Sequence, residues 1–169
     1  VKDGESLILG ELNLTFVCAP MVHWPEVMVA YESSEKVLFA ADAFGKFGAI
    51  SKYDGDWACE ARRYYFNICG KYGVQVQALL KKLSQIDVAC ICPLHGPVLN
   101  ENLGYYLSLY NTWSLYEPES EGVFVAYASI HGGTAAAANK IREMLLTKGE
   151  KKVAITDLSR DDMAEAVED

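Results

Sequence analysis

At 169 residues the chain is long enough for one ordinary domain or for parts of two. With 51% hydrophobic and 22% charged residues it has the composition of a packed protein, which excludes a disordered one. A formal net charge of -8 excludes a phosphate-reading nucleic-acid surface and an anchor for anionic membranes, because both need clustered Lys and Arg.

In chain order, Ser6 to Leu9 and Leu12 to Cys18 read as strands separated by Gly10 and Glu11. Val27 to Tyr31 and Val37 to Ala40 read as a second pair, joined by the polar turn Glu32-Ser33-Ser34-Glu35. A Gly-containing loop follows from Asp42 to Gly55. Asp56 is placed to cap a helix that runs to about Cys69 and stops at Gly70. A second helix is predicted from Val74 to Leu83, with Val76, Leu79, Leu80 and Leu83 along one side. The continuous apolar run Val88 to Cys92 suits a buried strand, closed by Pro93. An aromatic helix is predicted from about Glu101 to Leu115.

The polar segment Glu117-Pro118-Glu119-Ser120-Glu121-Gly122 is the best boundary candidate, dividing the chain into 1–118 and 119–169. Beyond it the pattern is strand (Val123 to Ala128), Gly-rich turn, helix (Thr134 to Thr147), strand (Val153 to Ile155) and a helix start at Asp161. That is a βαβ unit, the beginning of a doubly wound parallel sheet, so the fold class is α/β.

Five cysteines, Cys18, Cys59, Cys69, Cys90 and Cys92, are odd in number and irregular in spacing, which does not make a disulfide framework. Cys90 and Cys92 fall two apart on a predicted strand and therefore on one face. All five read as mostly buried small hydrophobes in a reducing compartment. No apolar run is long enough to cross a bilayer. The start lacks Met and the basic n-region of a signal peptide, and the end, Met163 to Asp169, stops inside a helix-like pattern, so the chain reads as a fragment.

Two of the three histidines, His23 and His95, each follow a predicted strand, and Asp42 does the same. Strand ends place side chains on one rim of a sheet, where a rigid scaffold holds ligands together. Imidazole and carboxylate suit iron, zinc or manganese, and the two oxygens of one Asp can bridge two ions. The bland alternative is a surface histidine and an Asp that caps a turn.

In the second half, the turn Ser129-Ile130-His131-Gly132-Gly133-Thr134 sits between a strand and an Ala-rich helix. A helix start offers unpaired N–H groups and a positive dipole end to a phosphate. Gly132 and Gly133 permit close backbone approach, and Ser129 and Thr134 carry hydroxyls. The bland alternative is an ordinary helix cap. No Lys follows the second Gly, so this is not the longer nucleotide-binding P-loop.

Five strings together resemble the flavodiiron family. Ala19-Pro20-Met21-Val22-His23-Trp24-Pro25-Glu26-Val27-Met28 is similar to the segment carrying a metal-binding His, and Leu38-Phe39-Ala40-Ala41-Asp42-Ala43-Phe44-Gly45 to the one with the bridging Asp. Cys92-Pro93-Leu94-His95-Gly96-Pro97 is similar to the last His segment, and Ser129 to Thr134 to the flavin-phosphate loop. Tyr110 to Pro118 is similar to the family's helix leaving the first domain, where it is structural.

The resemblance spans about Ile8 to Val167. It implies the later part of a metallo-β-lactamase-like αββα sandwich followed by the start of a flavodoxin-like sheet. It also implies His23 on one iron, Asp42 between two irons and His95 on the other, with FMN phosphate at Ser129 to Thr134. The implied whole protein is a cytoplasmic oxidoreductase that reduces dioxygen to water or nitric oxide to nitrous oxide. Its implied electron donor is a redox protein such as rubredoxin, and its implied assembly is a head-to-tail homodimer.

The family's earlier His-x-Glu-x-Asp-His cluster has no counterpart here, so metal binding by this chain is expected to be weak or absent. His131 and Gly133 also depart from the residues usual at their positions. Trp24, beside a ligand, either lines the flavin side of the metal pocket or has a packing role in the core or at the rim. A zinc-dependent hydrolase and a degenerate, non-catalytic module are the competing readings; a flavin loop argues against the hydrolase.

Overall fold

The computed structural model describes residues 1–52, 55–161 and 166. It divides into two compact units, Val1–Glu117 and Pro118–Asp169.

The first unit contains a five-stranded sheet of β1 (Ser6–Leu9), β2 (Leu12–Cys18), β3 (Met28–Glu32), β4 (Val37–Phe39) and β5 (Cys90–Cys92), in that spatial order. The first three pairings are antiparallel; β1–β2 and β3–β4 close through short turns, with Leu9 opposite Leu12 across Gly10 and Glu11, while β2 and β3 are joined by the longer loop 19–27. The β4–β5 pairing is parallel. Parallel neighbours need a long crossover, and two helices supply it, α1 (Ala58–Ile68) and α2 (Gly73–Leu83). A third helix, α3 (Leu103–Ser114), follows β5.

Alternation along the strands turns Val29, Leu38 and Ile91 to one face of the sheet, where all three are buried. Their core is completed by Val76, Leu79 and Leu83 from α2 and by Tyr110 and Trp113 from α3. Periodicity therefore assigns α2 correctly; its apolar side is the one that packs.

The predicted strand Val88 to Cys92 shrinks to three residues because its partner β4 is only three long; Ala89 N–H is taken by the carbonyl of Lys36, where the ladder begins. The helix expected from Glu101 starts at Leu103, after Asn102 in the left-handed region (φ 50°). Asp56 does help start α1, accepting the N–H of Ala58 at 3.0 Å. The cysteines depart from expectation: only Cys69 is fully buried, the other four are half-exposed, and none of the five is in a disulfide. Cys18, Cys90 and Cys92 lie on strands and Cys59 on α1, all at partly exposed positions, which apolar character alone does not reveal.

Between β3 and β4 the chain reverses over Ser33 to Lys36. The Glu32 carboxylate accepts the N–H groups of Ser34 (2.9 Å) and Glu35 (2.7 Å), holding the turn. Those backbone donors, Glu35 first, pull its pKa from 4.5 to about 2. A depressed acid contributes stability that is complete above its unfolded pKa and is lost as pH falls through the folded one. Between pH 4.5 and about 2, acid unfolding of the chain should therefore contain a component that Glu32→Gln removes, read by circular dichroism.

The second unit is a βαβ element: β6 (Val123–Tyr127), α4 (Gly133–Thr147) and β7 (Val153–Asp157), with β6 and β7 parallel. β7 runs two residues past its predicted end. Of the helix expected from Asp161, residues 162–165 and 167–169 lie outside the described residues. Among the described residues no helix is long and apolar enough to cross a membrane.

Candidate functional site

The loops after β2, β4 and β5 bring His23, Asp42 and His95 to one place. His23 Nε2 lies 3.4 Å from Asp42 Oδ2, and His95 Nε2 lies 3.4 Å from Asp42 Oδ1. Each imidazole thus faces a different oxygen of one carboxylate. Both separations exceed the usual N–H···O hydrogen-bond range of roughly 2.7–3.2 Å. They match two donors sharing one ion, since ligands about 2.1 Å from a tetrahedral metal stand about 3.4 Å apart. The donor set therefore fits a carboxylate bridging two ions, each with one imidazole. Among the described residues no group of three or more His, Cys, Asp or Glu is disposed to hold a single ion.

Asp42 is held from several sides. Tyr64 Oη donates to Asp42 Oδ1 at 3.2 Å, and its ring packs against His95 at 5.7 Å. Burial first, then the Asp42 charge, pushes the Tyr64 phenol well above its ordinary value of 10.0, so it stays protonated and donating. Gly45 makes this approach possible: a Cβ there would stand 2.7 Å from Tyr64 Cε1. The turn is pinned through Phe44, whose N–H donates to Tyr110 Oη (2.6 Å) and whose carbonyl accepts from Trp57 Nε1 (3.3 Å). Met21, Ala41 and Phe44, beside the two ligand loops, all have left-handed backbone, with φ 66°, 51° and 63°. Non-glycine residues adopt it at a cost, which tends to gather where geometry serves function.

The ligand loops are also laced to each other. Ala40 N–H donates to the Cys92 carbonyl (3.0 Å), Leu94 N–H to the Ala41 carbonyl (2.8 Å), and Lys46 N–H to the His95 carbonyl (3.1 Å). A cavity of about 380 Å³ is lined by Lys46, Phe47, Ile50, Glu60 and Gly96 among others; His95 is not part of its lining. Trp24 is exposed (59%) and tilts against the His23 ring at 5.1 Å, so it sits at the rim and not in the core.

Sequence reasoning did not find Tyr64, Trp57 or the anchoring role of Tyr110. Only one signal pointed to them, the aromatics just before and within α1 and within α3, and it reads equally well as core. Tyr64→Phe removes the donor to Asp42 and keeps the ring. Outer partners of metal ligands are worth about 10- to 100-fold in affinity. Under the diiron reading proposed below, iron retention against a chelator by the protein that carries its complete ligand set should fall by that factor, with an unchanged melting temperature as the control for folding.

In the second unit, the segment Ala128 to Gly132 turns, and α4 begins at Gly133. Gly132 has φ 84°, which glycine adopts freely. Ser129 is buried and faces inward: its Oγ accepts the N–H groups of Gly132 (3.1 Å) and Ala135 (3.3 Å). It thereby fixes the loop and keeps only its own proton for a ligand. Ile130, His131, Gly132, Gly133 and Thr134 are exposed. Among the described residues, the N–H groups of Gly133 and Thr134 at the helix start have no acceptor, and no atom stands within 4 Å of where a Cβ on either glycine would be. An open helix start with two free donors fits a phosphate group.

The mixed sheet with helices on one face, followed by a parallel βαβ element, defines an α/β protein with a metallo-β-lactamase-like region. No family model matches the sequence. A nitric oxide reductase of Moorella thermoacetica is 32% identical over 157 residues, 88% of this chain and 39% of the relative. An uncharacterized protein of Methanocaldococcus jannaschii is 33% identical over 169 residues, 95% of this chain and 43% of the relative. The rubredoxin oxygen:oxidoreductase of Desulfovibrio gigas superposes with a TM-score of 0.87 at 27% identity, covering 99% of this chain and 44% of that one. The flavodiiron protein of Giardia intestinalis shares the fold, with a TM-score of 0.87 at 24% identity over 99% of this chain and 42% of its own. In sequence and fold the chain is similar to one part of these proteins, and it spans less than half their length.

Proposed function

We propose that this chain supplies part of the diiron site and the FMN-phosphate loop of an oxidoreductase that reduces dioxygen or nitric oxide. The reading rests on one observation above all: the Asp42 carboxylate lies between two imidazoles, one on each oxygen. His23 and His95 would each hold one iron, and Asp42 would bridge them. Ser129 to Thr134 would hold the FMN phosphate by helix-start N–H groups and the Thr134 hydroxyl. Iron and flavin would together supply the electron transfer that a redox-inactive ion cannot.

The chain's own residues do the positioning. Tyr64 holds one oxygen of Asp42, Phe44 is clamped by Tyr110 and Trp57, and the lacing between loops sets the spacing of Asp42 and His95. Electrons would arrive from a redox protein such as rubredoxin, and a head-to-tail homodimer would bring the flavin of one subunit to the irons of the other. The names of the relatives, a nitric oxide reductase and a rubredoxin oxygen:oxidoreductase, support the reaction class.

The test is the metal and flavin content of the protein purified from its native gene. Iron and FMN together are the expected result. Zinc without flavin would put the chain among hydrolases, and neither metal nor flavin would make it a degenerate module. Bulky replacements at His131, Gly132 and Gly133 should abolish flavin uptake; undiminished flavin would reject the loop assignment.

A further inference from the structure

Strand β5 carries two cysteines that the site does not use. Cys90 and Cys92 project from the same face, and their sulfurs stand 3.8 Å apart. Both are half-buried and both are free. Two residues along a strand advance about 6.6 Å, near the top of the roughly 4.4–6.8 Å Cα separation that a disulfide spans. A bond between them is reachable, but only if the strand bends.

That bend has a route to the ligands. The Cys92 carbonyl accepts the N–H of Ala40, two residues before Asp42, and Leu94 N–H, next to His95, donates to the Ala41 carbonyl. Cys92 is also the register partner of Phe39 in the β4–β5 pairing. Any shortening of Cys90–Cys92 therefore pulls on the backbone that sets Asp42 against His95.

We propose that Cys90 and Cys92 form a redox-responsive dithiol whose oxidation to an intramolecular disulfide loosens the lacing between the Asp42 and His95 loops. The oxidant is a low-molecular-weight disulfide. One cysteine sulfur attacks it, loses its proton, forms a mixed disulfide and releases one small thiol. The second cysteine sulfur then attacks the protein-side sulfur, loses its proton and releases the other small thiol. Two thiols of the protein are oxidised, and one disulfide of the oxidant is reduced to two thiols, which carry away both protons and both electrons. A disulfide closed against an extended strand is strained and easily reduced, which makes it a switch and not a staple.

The folded full chain is equilibrated with oxidised glutathione, alkylated and mapped by peptide mass, and its amide hydrogen exchange is followed in parallel. The expected result is a Cys90–Cys92 peptide with neither thiol free and no glutathione attached, together with lost protection at the Ala40 and Leu94 amides. Dithiothreitol should restore both. Cys92→Ser should instead retain glutathione on Cys90 and keep its amide protection. Two free thiols, a stable glutathione adduct in the unsubstituted chain, or unchanged protection at Ala40 and Leu94 after the disulfide has formed would each overturn the proposal.

Discussion

Trp113→Ala is expected to lower the stability of the first unit by about 3–5 kcal/mol, the usual cost of deleting a large buried aromatic. Trp113 is 1% exposed on α3. Its ring stacks on Trp57 at 5.9 Å and 13°, and it meets Tyr65 at 5.4 Å and Tyr110 at 5.5 Å. The Arg62 guanidinium lies over it at 5.9 Å. These neighbours come from α1, α3 and the segment between β4 and α1, so none can collapse into the hole without moving an element. A domain has only roughly 5–15 kcal/mol in total, so the loss is a large share of it. All three tryptophans, Trp24, Trp57 and Trp113, precede residue 118. Indole fluorescence in a urea titration therefore reports this unit alone, and the midpoint should fall steeply. Trp113→Phe, which keeps a ring in the stack, should fall between the two.

Asp42→Asn is expected to cost more than about 100-fold in iron retention, beyond the upper end for outer partners such as Tyr64. The replacement keeps the shape and one oxygen to accept from Tyr64, so it spares the fold. It removes the negative charge and one of the two oxygens that face His23 and His95. An amide cannot bridge two cations as a carboxylate does. Iron content after dialysis against a chelator is the measurement, made on the protein that carries its complete ligand set. Retention equal to the unsubstituted protein would remove Asp42 from the site. The contrast with Trp113 is diagnostic: one change lowers stability and the other lowers metal retention, because one side chain fills the core and the other faces a rim.

Much of the fold is legible in the residues themselves. Alternation located β1 to β3, the apolar side of α2 is a 3.6-residue period, and the polar Glu117 to Gly122 stretch is read as a break. The three candidate ligands were also legible, because each follows a strand and strand ends gather at a rim. What was not legible has one cause: the spacing of residues distant in sequence. Tyr64 precedes Tyr65 in the same helix, yet Tyr64 reaches Asp42 while Tyr65 fills the core. Ser129 has the same hydroxyl whether it points out to a ligand or in to cap a helix, and only the loop's path turned it inward.

The sequence by itself determined the α/β class, the break near residue 118, and the residue types able to hold iron and phosphate, because these depend on local periodicity and on side-chain chemistry. Tertiary structure alone decided that two imidazoles face opposite oxygens of one carboxylate, that Phe44 is clamped by Tyr110 and Trp57, and that Cys92 is tied to the strand leading to Asp42. Those are distances between segments tens of residues apart. They are set by how strands pair and helices pack, which no local pattern encodes.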